Sequence, residues 1–143
     1  MVAQQDATPA VVKRPLPSTL KPALLGPLVA TLTGAETTQT VSTGKLSLST
    51  SDRFLKVELA LYNGGTTPVP LELGRAKVLA GKVESGLAPD VQRAVGTQAL
   101  HLQVEPGASK PVTLYFEVSA SALTERLTLV LPTPDGSTAP LVF

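Results

Sequence analysis

From Leu28 onward, run after run of the chain places aliphatic side chains at every second position, and this alternation restricts it more than any other feature. It is clearest over Phe54–Tyr62, where Leu55, Val57, Leu59 and Leu61 interleave with Lys56, Glu58 and Ala60. Successive side chains of a strand point to opposite faces, so this period marks a strand with one buried face. The same period runs through Leu28–Thr33, Leu46–Ser49, Leu100–Val104, Val112–Val118 and Leu127–Leu131, with a last short strand at Leu141-Val142-Phe143. Val69, Leu71 and Leu73 form a further strand beside Pro68 and Pro70, and Ala76–Ala80 forms another, closed by Gly81.

Turn chemistry separates these runs. Asn63-Gly64-Gly65 reads as a reversal that uses positive φ, after which Val69–Leu73 returns alongside. Glu105-Pro106-Gly107 has proline and glycine where a type II turn needs them. Pro132, Pro134 and Asp135-Gly136 turn the chain before its last strand. Residues 82–97 are the least regular. Pro89 suits the first turn of a short helix that Gly96 ends, and a loop fits equally well. Ser119–Glu125 is a loop or one helical turn. Seven to nine short strands spaced in this way are the pattern of an all-β β-sandwich over residues 28–143, with a closed barrel as the alternative; an immunoglobulin-like sandwich is expected, for the resemblance given below.

Residues 1–27 differ. Five of the 13 prolines stand there, at 9, 15, 17, 22 and 27. Proline fixes φ and removes a donor, so an extended arm or linker is expected. Val11, Val12, Leu16, Leu20, Leu24 and Leu25 are apolar anchors that a pure linker does not need, which makes them candidate contacts to a partner. The polar start, Met1-Val2-Ala3-Gln4-Gln5, has the flavour of a mature secreted N-terminus behind an initiator methionine, or of a flexible tail.

Two segments resemble a known family. Residues 54–73, FLKVELALYNGGTTPVPLEL, are similar to the strand–Asn-Gly–strand unit of extracytoplasmic immunoglobulin-like domains of bacteria, with their V-x-L-x-L-x-N run followed by P-V-x-L. Residues 104–118, VEPGASKPVTLYFEV, resemble the L-x-P-G-x-S-x-x-x-x-L-x-F-x-V strand of the same domains. The resemblance implies a sandwich that binds, adheres or protects without catalytic residues. The inter-sheet cysteine pair and packed tryptophan of antibody domains are missing, since the chain has no Cys and no Trp.

Composition narrows the chemistry. One histidine and no cysteine cannot build a zinc or copper site within one chain. His101 falls in the polar phase of its strand. No G-x-S-x-G elbow is present. Thr43-Gly44-Lys45-Leu46 lacks the first glycine of a phosphate loop, at Gln39, and has Leu46 in place of Ser/Thr. Asp52, Glu58, Glu72, Glu84, Asp90, Glu105, Glu117, Glu125 and Asp135 are scattered singly, without a calcium loop. A formal net charge of +1 and 3% aromatics argue against nucleic acid, and no apolar run reaches membrane-helix length. Tyr62 and Tyr115, on the expected outer faces, complete the candidate partner contacts. Phe143 reads as a core plug.

The chain is therefore expected to be a non-catalytic binding or structural module without cofactor or metal. It would act on another protein outside the cytoplasm, in a bacterial envelope or surface layer. Two alternatives stand beside it: an enzyme or accessory subunit with a carboxylate or subunit-shared metal site, and a virion decoration protein.

Overall fold

The computed structural model describes residues 11–43, 46–95 and 100–143. Met1–Gln5, Pro9, the Gly44-Lys45 pair and Gly96, all weighed above, lie outside the described residues.

The strands are β1 (Val12–Lys13), β2 (Ala23–Leu25), β3 (Leu28–Thr43), β4 (Leu46–Asn63), β5 (Val69–Glu72), β6 (Lys77–Ala80), β7 (Val83–Gly86), β8 (His101–Val104), β9 (Ser109–Val118), β10 (Leu127–Pro132) and β11 (Thr138–Val142). One short helix, α1 (Pro89–Val95), and a 3₁₀ turn at Ala120–Thr124 interrupt them. The large sheet runs β9-β4-β3-β1, with β2 also on β3; the second runs β11-β10-β6-β7; β5 and β8 form a pair of their own. All pairings are antiparallel.

The inward faces share one aliphatic core. Leu55, Val57, Leu59 and Leu61 of β4 and Val112, Leu114, Phe116 and Val118 of β9 meet Val78, Leu127, Leu129, Leu131 and Leu141 of the second sheet. Phe116 is the one aromatic among the most deeply buried side chains, so the core is filled by leucine and valine. The all-β, layered architecture is the one the alternation predicts.

Three expectations are corrected. First, the strands are not all short. β3 and β4 have 16 and 18 residues and form one long hairpin. No proline stands between Pro27 and Pro68, and the β-branched Thr37, Thr38 and Thr40 carry the pleat where no aliphatic pattern is visible. Register shifts at Leu32/Gly34 and Thr38/Thr40 bend the ribbon. The first moves the inward phase of β3 from Ala30 and Leu32 to Ala35 and Thr37.

Second, Asn63-Gly64-Gly65 does not fold Val69–Leu73 back onto β4. β4 lies between β3 and β9, and β5 pairs with β8. The described residues with positive φ are Gly26, Gly81, Gly107 and Gly136, not Gly64 or Gly65. Asn63 works instead through its side chain, which has no exposed surface. Its Nδ2 donates to the Thr67 and Val104 carbonyls, each at 2.8 Å, and its Oδ1 accepts from Gly65 N–H at 2.8 Å. Its main chain accepts from Gly107 N–H at 2.8 Å. The residue thus satisfies buried polar groups where the chain leaves one layer for another. The neighbouring Glu105–Ala108 turn is as expected, with Ala108 N–H on the Glu105 carbonyl at 3.0 Å and Gly107 at φ 74°.

Third, residues 11–27 do not stand apart from the sandwich. β1 and β2 extend the large sheet along the outer edge of β3, and Leu25 has no exposed surface while Ala23 keeps 6%. Pro15, Pro17 and Pro22 fall in the stretch between β1 and β2 where pairing lapses, since proline cannot donate to a ladder. Arg14 fastens this edge. Its Nη1 donates to the Leu123 carbonyl at 3.0 Å, and its Nη2 donates to those of Glu125 and Phe143 at 2.7 and 3.3 Å. Its guanidinium carbon lies 5.5 Å from the centre of the Phe143 ring, a cation–π contact. Burial lowers its pKa.

Candidate interaction surface

The outer face of the large sheet has two ends with different fates. At one end, α1 and the residues before it lie over β9. Ala88 N–H donates to the Tyr115 carbonyl at 2.8 Å, and Leu87 bridges to Phe116. Gln92, 2% exposed, completes the cover. Its Oε1 accepts from Tyr115 N–H at 3.0 Å and its Nε2 donates to the Thr113 carbonyl at 3.3 Å. A side-chain amide thereby takes the place of a neighbouring strand and closes an edge that would otherwise template pairing. Phe54, Tyr115, Ala88, Val91 and Val41 form a small second core beneath the helix.

Tyr115 was expected to face a partner. Its phase is outward, but α1 covers it and leaves 9% of it exposed. The same burial raises the pKa of its hydroxyl. A short helix with apolar Ala88 and Val91 at a spacing of three must lie on something, and that was the available signal.

At the other end no element among the described residues covers the face. Leu24, Val29, Tyr62 and Ser109 are register partners across four strands, β2, β3, β4 and β9. Side chains opposite one another in an antiparallel ladder lie on one face. Leu24 is 68% and Tyr62 45% exposed, and Val29 between them is half-buried. The next row is Thr31, Ala60 and Pro111. The result is an apolar strip ending in an exposed tyrosine.

The remaining predicted contacts divide. Val11 and Val12 are exposed at 55% and 58%. Leu16 and Leu20 are half-buried against the core, and Leu25 is wholly within it, so Leu25 has no surface to offer a partner. The structure thus brings Leu24 and Tyr62 onto one face, places Val11 and Val12 on the sheet's outer edge, and takes Leu25 and Tyr115 away. Sequence reasoning missed Val29, because its neighbours across the ladder cannot be read from the chain itself.

Charged groups are mostly engaged locally. His101 is exposed beside Glu72, Nδ1 to Oε1 at 3.5 Å. Glu36 meets Lys56 at 4.0 Å, Glu84 meets Lys77 at 3.2 Å and Asp90 meets Arg93 at 3.5 Å. Asp135 accepts from Ser137 N–H at 3.0 Å and from the Thr133 and Ser137 hydroxyls. These bonds hold its carboxyl at about 2, below the ordinary range. Among the described residues, no three His, Cys, Asp or Glu stand close enough together to hold a metal ion. Among them, too, no helix is long and apolar enough to cross a membrane.

No family model matches the chain. No curated protein matches it. Among solved structures, it is similar to a functionally unknown protein from Listeria monocytogenes EGD-e, at a TM-score of 0.62 and 11% identity, over 94% of this chain and 87% of that one. At that identity the likeness is one of fold.

Proposed function

We propose that the chain is a non-catalytic binding or structural module that works through protein–protein contacts outside the cytoplasm, in a bacterial cell envelope or surface layer. The observation that carries this reading is the bare apolar strip of Leu24, Val29 and Tyr62. Among the described residues, these three make one row across neighbouring strands of the large sheet, and Leu24 and Tyr62 are among its exposed large hydrophobic side chains. Tyrosine with aliphatic neighbours is the composition of an interface centre, and a sheet presents it with little loss of side-chain freedom on binding. The resemblance of residues 54–73 and 104–118 to extracytoplasmic immunoglobulin-like domains supports the same role, at the level of layered architecture.

A photoreactive phenylalanine analogue placed at position 62, and separately at position 101, tests the proposal in source cells. Adducts to another protein from position 62 and none from position 101 are expected. Equal labelling from both positions, or none from either, would overturn the assignment of this face.

A further inference from the structure

The second sheet ends in an edge with which no strand among the described residues pairs, although β2 passes close beside it. β11 pairs with β10 on one side only. Leu127 and Phe143 exchange both main-chain bonds, at 2.9 and 2.8 Å. In an antiparallel ladder such pairs alternate with pairs whose polar groups point away. Leu129–Leu141 is therefore the next bonded pair. The N–H and C=O of Val142 and the C=O of Pro140 are turned outward, and both residues are exposed.

A groove of about 340 Å³ runs beside this edge. One wall is Pro140–Val142, and the other is the proline-broken stretch from Pro17 to Pro22. Lys21 and Arg126 stand in the lining. Both are exposed, and neither belongs to any of the four ion pairs among the described residues.

We infer that this groove binds an acidic, extended segment of another protein, added as a strand against β11. The inference rests on the protein–protein reading above and names a second surface for it. Main-chain bonds to the Val142 N–H and to the Val142 and Pro140 carbonyls supply the ladder, as in strand addition generally. Pro140 brings no donor, so the outward N–H groups of β11 are those of Val142 and Thr138, and the gap between them sets the register of the incoming strand. Two unpaired cations at the rim select carboxylates on it. A second copy of this chain is the poorer occupant. An edge-to-edge pair would bring Lys21 and Arg126 of each copy toward those of the other, and β11, Thr138-Ala139-Pro140-Leu141-Val142, carries no acid to meet them.

The test uses the full chain and two synthetic peptides, one alternating valine with glutamate and one alternating valine with lysine. The acidic peptide is expected to bind, to slow exchange of the Val142 amide proton, and to leave the Tyr62 resonances in place. Lys21→Glu with Arg126→Glu should reverse the preference, weakening the acidic peptide by about tenfold or more. Val142→Pro removes the Val142 donor and should abolish binding while the spectrum stays folded, since an edge strand tolerates proline there. If that variant does not fold, the charge reversal and the amide exchange still decide. Equal binding of both peptides, binding of neither, or binding that leaves the Val142 amide unprotected overturns the inference. Any of these results leaves cross-linking from position 62 untouched, so the two proposals fail separately.

Discussion

Tyr115 and Tyr62 occupy the same strand phase on the same face of the same sheet, yet one lies under a helix and the other meets solvent. Around Tyr115, α1 supplies Val91 and Gln92, a second small core forms, and the edge of β9 is closed. Around Tyr62 nothing among the described residues lies over the sheet, and Leu24 and Val29 extend an open strip. The difference teaches that alternation decides which way a side chain points but not whether something covers it. Cover comes from a segment remote in sequence, and an uncovered end is where a sheet has surface to give.

The comparison assumes a common inward face, and the largest effect checks that assumption. Leu59→Asp buries a charge among Leu55, Val57 and Leu61, at several kcal/mol against a total stability of about 5–15, so loss of soluble folded protein is expected. Glu58→Ser, half-buried on the opposite face, should leave the denaturation midpoint within about 0.5 kcal/mol of the parent. Comparable losses at both positions would show that the faces are misassigned.

Truncation before Leu28 comes next. It strips Leu24 from the open strip, but it also removes Leu25 and Ala23 from the core. Burial on the scale of a leucine is worth about 2–5 kcal/mol, so a clear drop in melting temperature is expected. An unchanged melting temperature would mean that the first 27 residues hang free after all.

The two tyrosines give the direct comparison. Tyr115→Ala opens a hole beneath α1 and should cost about 3 kcal/mol, as aromatic truncations in a core do. Tyr62→Ala should cost less than about 0.5 kcal/mol in urea unfolding and should instead remove the cross-linked partner. Similar stability losses would erase the distinction between the ends. A loss smaller than that of Tyr115→Ala is expected at Gln92. Gln92→Leu keeps the bulk but strands the Tyr115 N–H and Thr113 carbonyl, at about 1–3 kcal/mol. Faster hydrogen exchange at Tyr115 is the sign to look for, and protection equal to the parent would show that the amide contributes nothing to the edge.

The chain's pattern made much of this legible. Leu55 to Leu61 and Val112 to Val118 show their inward faces plainly, and Glu105-Pro106-Gly107 carries its turn type in its residues. What stayed hidden depends on pairing. Thr37 to Thr43 has no aliphatic period, so the long hairpin is visible only as a span without proline. Asn63 reads as a turn former because the carbonyls of Thr67 and Val104, which its amide joins, are not adjacent to it in sequence. Leu25 and Leu24 look alike among prolines, and only their register against Leu28 and Val29 sends one inward and the other out. The open strip was half legible: Leu24 and Tyr62 are apolar or amphipathic residues in outward phase, but their common row is set by a ladder spanning four strands.

The clasp at Arg14 has a consequence for how the molecule is made. Its acceptors on Leu123, Glu125 and Phe143 lie 109, 111 and 129 residues further along the chain. A ribosome moving at about 5–20 residues per second needs roughly 6–26 s to pass from Arg14 to Phe143. For roughly the first 5–22 s of that interval the guanidinium has none of its three carbonyls to bind, and the third comes only at its end. The edge around Arg14 is thus made well before its clasp, and it stays unlatched until the strand that ends at Phe143 arrives.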